Sequence, residues 1–597
     1  MRAVTAFLEG QPRLRGIRSE NAAPGVTAES AAEGLARRDG TVVLLSGGRL
    51  DCARYHIAGA APWLTVTGWG RRIRLAAGDR VLETEADPFE VVRAVLDRFA
   101  LPAADPEIPL TAGLMGYLAY DLKDRIETLP RTSVDRWRLP HLCLYAPSVL
   151  LVQDLLADRT RVFLPEGEGL PDIRRRIGLL SPGGAEAPGG TTGFSCGVDG
   201  FRSNFRRPDY LEAVGRIRDY IAAGDVYQVN MSQRFETSFS GDPFALFQSL
   251  FRRNPAPFFA YVNAGDHQIV STSPERFLLR RGSRIETRPI KGTRPRGATP
   301  EDDAALREAL RTSPKDDAEL SMIVDLLRND IGKVCAAGTV RVAEHKRIEA
   351  YENVYHLVSI VEGRLAGRCD TVDLLRATFP GGSITGCPKI RAMEIIDELE
   401  PDRRHVYTGA IGYLSFHDTL DLSVAIRTAA VCRGRLAFSV GGGIVFDSDP
   451  EAEYEETLHK GKSLLEVFEC RREAGGPSPV VWSNGHLIPA HRACVPVDDQ
   501  GVLYGNGCFE TLRAEGGRAL RLSAHIDRFR GTWRFLFGPE PFPDLTWEDV
   551  IQQVLERNGL ADRTAAVRVT ATRGNPDAPG LPPSLFVTAR AYRHRLE

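Results

Sequence analysis

Apolar residues recur along this chain at two periods, and stretches of each alternate through most of its length. In "DDAELSMIVDLLRNDIGKV", Leu320, Ile323, Val324, Leu327 and Ile331 stand at i, i+3, i+4, i+7 and i+11. That is one apolar stripe of an amphipathic helix. "KIRAMEIIDELE" keeps the period, and Pro388 ahead of it predicts a helix starting there and running to Pro401. "DPFEVVRAVLDRFA" predicts another helix nearer the N-terminus. Between them lie short runs that read as strands, "TVVLLSGG", "WLTVTGW" and "RIRLAAG" early, "FFAYVNAG", "HQIVSTSP" and "RLAFSVGGGIVFD" later. "GLMGYLAYDL" sets glycines among aromatics, as a strand does where another backbone comes close. Strands and helices both abound, which predicts an α+β class with long antiparallel sheets.

Two stretches rich in Gly, Pro and Ala interrupt the pattern, "SPGGAEAPGGTTG" from Ser181 and "RREAGGPSP" from Arg471. They divide the chain into segments 1–180 and 201–470, joined by a linker or loop at 181–200, and a short segment 480–597 after a linker at 471–479. A chain of 597 residues is too long for one ordinary core.

Composition narrows the class. With 43% hydrophobic and 26% charged residues and a net charge of −2, the chain reads as soluble and globular. It has no bias towards nucleic acid or an acidic membrane surface. No run of 18 apolar residues predicts a membrane span, and the N-terminus lacks an uninterrupted apolar signal segment. Ten cysteines without CxxC spacing predict reduced thiols and a cytoplasmic protein.

Candidate chemistry gathers in the second segment. "FPGGSITGCPK" puts a Gly/Ser/Thr loop before a helix N-terminus, a setting that suits a carboxylate or phosphate. "FSVGGGIVFDSDPEAEYEETLHKGKS" ends a strand in Gly441 to Gly443, then lines Glu453, Glu456 and Lys460 on one helix face. That face is either solvated or ligand-binding. Glu319 edges an apolar helix face and His356 lies in "NVYHLVS"; hard oxygen donors from separate helices suit magnesium. Arg427, alone in an apolar run, is a paired core arginine or a fork for a carboxylate. Only eight of the 76 basic residues are lysines, yet "ETRPIKGTRPRG" carries Lys291 among arginines. Lys291 is either a charge in a solvated basic turn between two strands or an amine that loses its proton and attacks, which arginine cannot do.

Together "SPERF", "TRPIKGTRPRG", "MIVDLLRNDIGKV", "HLVS", "FPGGSITGCPKIRAMEIIDELEP", "YTGAIGYLS", "IRTA" and "GGGIVFDSDPEAEYEET" resemble the chorismate-utilising enzymes over nearly all of residues 1–470. The resemblance implies a large β-sandwich core with outer helices. Within the family, PIKGT is the form of aminodeoxychorismate synthases and PIAGT that of anthranilate synthases. It implies a transaminase-type amination at C4: Lys291 attacks C2 of chorismate while the C4 hydroxyl leaves, then ammonia adds at C4 and expels the lysine. The product is a precursor of p-aminobenzoate and folate. Glu275 matches the family's general acid, and His356 is expected near the leaving group. Glu319 and Glu456, with Glu453 close by, are expected to hold Mg2+. Ser383, Tyr407, Arg427, Lys460 and the amides of Gly441 and Gly443 are expected around the two substrate carboxylates. An anthranilate synthase, or a non-catalytic relative, is the competing reading; Lys291 opposes the first and the intact residue set the second.

The family's tryptophan-binding motif has its counterpart at "LLSGG", Leu44 to Gly48, without the usual glutamate. That weakens the case for feedback inhibition by tryptophan. No cysteine sits in the glycine-rich turn a glutaminase nucleophile needs, so ammonia is expected from a separate glutamine amidotransferase subunit. Residues 482–597, in "WSNGHLIP", "VPVDDQGVLYGNGCFETLRAEGG", "RLSAHIDRF" and "AAVRVTATRG", resemble the N-terminal half of fold-type IV pyridoxal-phosphate enzymes such as aminodeoxychorismate lyase. In that family the residue matching Arg528 contacts the cofactor phosphate. No lysine follows Lys462, so the aldimine such enzymes require cannot form here, and pyridoxal phosphate is not expected. The expectation is an incomplete half-domain without lyase activity. A bifunctional synthase–lyase would need another chain to complete it.

Overall fold

The computed structural model describes residues 1–592 except 12, 49, 103–104, 106, 168–169, 171, 181–192, 197–199, 473–479, 491–492, 494, 497, 539–541 and 576–582. The two expected linkers lie largely outside the described residues. The chain divides into two compact units, Met1–Val467 and Phe468–Glu597.

The first unit joins the two segments that the glycine-rich stretch separates. Their strands share one 23-stranded antiparallel sheet among the described residues. Thr41–Leu45 pairs with Phe258–Asn263, and Gly113–Leu118 pairs with Ala410–Ser415. Such pairings span hundreds of residues, which local periodicity does not reveal. The glycines of "GLMGYLAYDL" act as expected: Gly116 has φ 148, and a Cβ there would stand 2.0 Å from the Cys143 carbonyl oxygen. Helices cover the sheet. Pro314–Gly332 buries the stripe Leu320, Ile323, Val324, Leu327 and Ile331, and Ser313 caps it by accepting from the Asp316 amide. The fold is the expected sandwich-type α+β architecture.

Pro388 departs from expectation. It lies before the helix, in extended conformation, and the helix is Lys389–Leu399. Gly386–Cys387 pairs with Gln228–Val229, which keeps the backbone extended up to the helix.

The second unit has its own core. Helices Leu522–Phe537 and Trp547–Arg557 bury Phe529, Trp533, Val554 and Leu555 with Val567, Val569 and Val587 of a six-stranded sheet. Among the described residues no helix is long and apolar enough to cross a membrane.

Candidate active site

Lys291 lies on strand Ile290–Pro295, opposite Leu357, and the register slips by one residue before Thr293 meets His356. Gly292 makes this bulge at φ 65, and a Cβ there would stand 2.8 Å from Leu310 and 3.0 Å from the Asp316 carboxylate. Only glycine fits both the conformation and the space. The Lys291 amine is held below the usual lysine range, first by burial and further by Lys460; Glu319, Glu275 and Glu456 oppose the shift. Four of the expected site residues therefore act electrostatically on this one amine.

Glu275 is 5% exposed. The Ser383 hydroxyl donates to its Oε1 at 2.6 Å. Burial pushes its carboxyl up to about 7, against the lowering effects of Ser383, Lys291 and the Ile290 amide. It is thus poised to hold a proton near neutral pH. Ser383, expected at a substrate carboxylate, is bonded here to the expected acid.

His356 is buried, and burial lowers its pKa to about 3, helped by Arg427. Thr293 Oγ1 lies 3.0 Å from its Nδ1, while Nε2 has no partner. The ring is neutral, and its unpartnered Nε2 accepts a ligand's hydrogen bond if Nδ1 carries the proton and donates one if Nδ1 accepts from Thr293. Tyr351 packs edge-on against it at 4.8 Å between ring centroids. Arg427 sits at φ 49 with its carbonyl accepting from the Thr272 amide at 3.1 Å. Its guanidinium has no ion-pair partner among the described residues, and burial lowers its pKa. Of the two readings, the carboxylate fork is the one this favours. The buried Tyr407 phenol is pushed up to about 12, chiefly by burial, with the Arg404 guanidinium 5.8 Å from its ring centroid.

Helix Pro450–Arg472 brings Glu453, Glu456 and Lys460 to the glycine strand. Lys460 Nζ lies 2.6 Å from Glu456 Oε1 and donates to the Gly441 carbonyl at 2.9 Å. Ser448 donates to Glu453 at 2.7 Å, and burial, with Glu456 adding to it, raises the Glu453 pKa. A Cβ on Gly441 would stand 2.4 Å from the Met231 carbonyl oxygen, and one on Gly443 1.8 Å from Gln228 Nε2. Those two glycines let strands pack. Gly442, not singled out from the sequence, is the one whose missing Cβ leaves room at the carboxylates: 3.0 Å to Glu453 and 3.6 Å to Glu456. Among the described residues no three metal-type side chains form a closed cluster. The space over Gly442 lies between two carboxylates, with Lys460 Nζ 3.8 Å from the same point and paired with Glu456. The carboxylates are the donors a hard cation takes while it keeps water and substrate oxygens in its shell.

Away from this site, Leu44, Leu45 and Ser46 wall a cavity of about 300 Å³ with Asp51, Arg276 and Arg288. In the second unit Arg528 is 61% exposed at its side chain, and its Nη2 donates to Glu510 at 2.7 Å. That guanidinium is paired with a carboxylate and not free for a phosphate.

A family model described as chorismate binding enzyme matches residues 52–466. The chain belongs to the chorismate-binding enzymes. It is accordingly an enzyme that uses chorismate, and the residues gathered around Lys291 lie within the matched span. A second model, amino-transferase class IV, matches residues 507–597. Aminodeoxychorismate synthase component 1 of Klebsiella aerogenes is 42% identical over 417 residues, 70% of this chain and 90% of that protein. Anthranilate synthase component 1 of Thermus thermophilus is 42% identical over 422 residues, 69% and 90% of the two chains. The crystal structure of anthranilate synthase component I from Streptococcus pneumoniae has TM-score 0.61 at 29% identity, covering 70% of this chain and 93% of its own. Equal identity to both kinds of synthase leaves the reaction to be decided by the site.

Proposed function

We propose that this chain is the chorismate-aminating component of an aminodeoxychorismate synthase, converting chorismate and ammonia to 4-amino-4-deoxychorismate and water. The observation that carries this reading is a half-buried lysine amine held below its usual range, in electrostatic reach of a buried carboxyl that accepts from Ser383 at 2.6 Å and is raised to about 7. The two share protons as a unit, and the productive state has the proton on Glu275 and the lone pair on Lys291. Lys291 Nζ forms a bond to C2, the ring double bonds shift, and the C4–O bond breaks as Glu275 protonates the departing hydroxyl. Ammonia then bonds to C4, the shift reverses and the C2–N bond breaks, returning the amine. Arg427 and Tyr407 suit the carboxylates, and His356 Nε2 suits a hydrogen bond with the incoming or leaving group. Glu319, Glu453 and Glu456 would hold magnesium, which would neutralise a ring carboxylate. Ammonia would come from a glutamine amidotransferase partner, in keeping with the "component 1" in the relatives' names.

Incubation with chorismate, magnesium and ammonium, followed by chromatography, should yield 4-amino-4-deoxychorismate; anthranilate as product would sink the reading. The same mixture should contain no p-aminobenzoate until a lyase is added, because the second unit has no lysine. Gly442→Ala should raise the magnesium concentration for half-maximal activity about tenfold, by crowding Glu453 and filling the space beside Glu456. An unchanged magnesium titration would remove those carboxylates from the metal site.

A further inference from the structure

Lys389 opens helix Lys389–Leu399, where the helix dipole disfavours a cation. Its ammonium nevertheless turns inward. Nζ donates to Asp330 Oδ2 at 2.5 Å and to the Thr378 and Pro380 carbonyls at 2.9 Å each. An ammonium has three donors, and all are committed. Asp330 is 1% exposed on helix Pro314–Gly332 and also accepts from Lys333 at 3.0 Å. Burial holds the Lys389 amine below its usual range, with Asp330 as the main opposing charge.

The two carbonyls open the loop from Thr378 to Cys387, and Ser383 lies three residues beyond Pro380. The Thr385 hydroxyl is within 3.1 Å of the Gly381 carbonyl oxygen and 3.3 Å of that of Gly382, so the loop is braced from inside as well. Its product is the 2.6 Å bond from Ser383 to Glu275. The groups facing Glu275 are Lys291 and the Ile290 amide from one strand and Ser383 from this loop. Ser383 is the one that comes from a loop. Beyond it the Arg404 guanidinium donates to the Ile384 carbonyl at 3.0 Å and the Asn230 amide to the Thr385 carbonyl at 2.8 Å; before it Lys389 is the anchor, at Thr378 and Pro380.

We propose that Lys389, fixed by Asp330, is a positioning residue that holds Ser383 against Glu275 and so aims the proton donor at the departing hydroxyl. This rests on the reading of Glu275 as the general acid. Ser383 bonds better to the ionised carboxylate, so losing its placement raises the carboxyl's pKa and moves the alkaline limb of the pH–rate profile upward. The same loss misdirects the acid and lowers kcat.

The test is the pH–rate profile of the full chain with chorismate, magnesium and ammonium, with thermal melting as the check on folding. Ser383→Ala should move the alkaline limb up by about one pH unit and lower kcat about 10- to 100-fold. Lys389→Met and the isosteric Asp330→Asn should reproduce both effects with KM for chorismate within about threefold. Lys333→Met, which leaves the loop carbonyls bonded, should change neither. If Lys389→Met does not fold, Asp330→Asn decides. A limb that moves in Ser383→Ala but stays in the folded Lys389 or Asp330 variant overturns the positioning role. A limb unmoved by both Ser383→Ala and Glu275→Gln overturns the reading of Glu275 instead.

Discussion

Lys291→Ala is expected to lower kcat for 4-amino-4-deoxychorismate formation by about a thousandfold or more, the scale of losing a covalent nucleophile. KM for chorismate should change little, because Arg427 and Tyr407, the groups proposed for the carboxylates, stay in place. Stability should not fall: the amine is held below its usual range mainly by burial, a cost that alanine removes. A thermal scan beside steady-state kinetics separates these effects. Retained turnover in a well-folded variant would show that ammonia attacks without a lysine adduct.

Glu275→Gln is the second large effect. Glutamine keeps the acceptor for Ser383 but cannot give a proton, so kcat should fall about 10²- to 10⁴-fold. Wild-type activity should decline as pH rises through about 7, where Glu275 ionises, and that limb should vanish in the variant. The substitution moves stability in the opposite sense to activity. A carboxyl raised from 4.5 to about 7 in the folded chain favours folding fully below about pH 4.5. That contribution disappears as pH rises to about 7, on the order of 3 kcal/mol. Glu275→Gln should therefore melt higher than wild type at pH 8, with the difference shrinking towards pH 5. Equal melting temperatures at both values would mean that the carboxyl is not raised.

Much of the site was legible before the structure because its residues are chemically out of place. A lysine among 68 arginines, a run of three glycines ending a strand, and carboxylates spaced along one helix face all announce themselves. The helix Pro314–Gly332 was legible because its stripe obeys one period. What escaped depended on partners distant in sequence. The face that Gly442 presents follows from the pairing of its strand with Gln228–Gly241, and a shift of one residue would exchange it for Gly441 and Gly443. The sequence places Ser383 beside a helix N-terminus but does not show its bond to Glu275, 108 residues earlier. Lys389 and Asp330 read as ordinary charges on two helices; their burial together appears only when the helices are placed. The union of the first two segments likewise rests on pairings such as Leu45 with Phe259.

The covalent role of Lys291 can be read directly from the mass of the intact protein. Incubated with chorismate and magnesium in the absence of ammonia, the chain is predicted to gain the mass of chorismate less one water. Peptide mapping should place that gain on Lys291, and Lys291→Ala should show none. An unmodified wild-type chain that still aminates chorismate when ammonium is added, with no adduct trapped at any time point, would contradict the account.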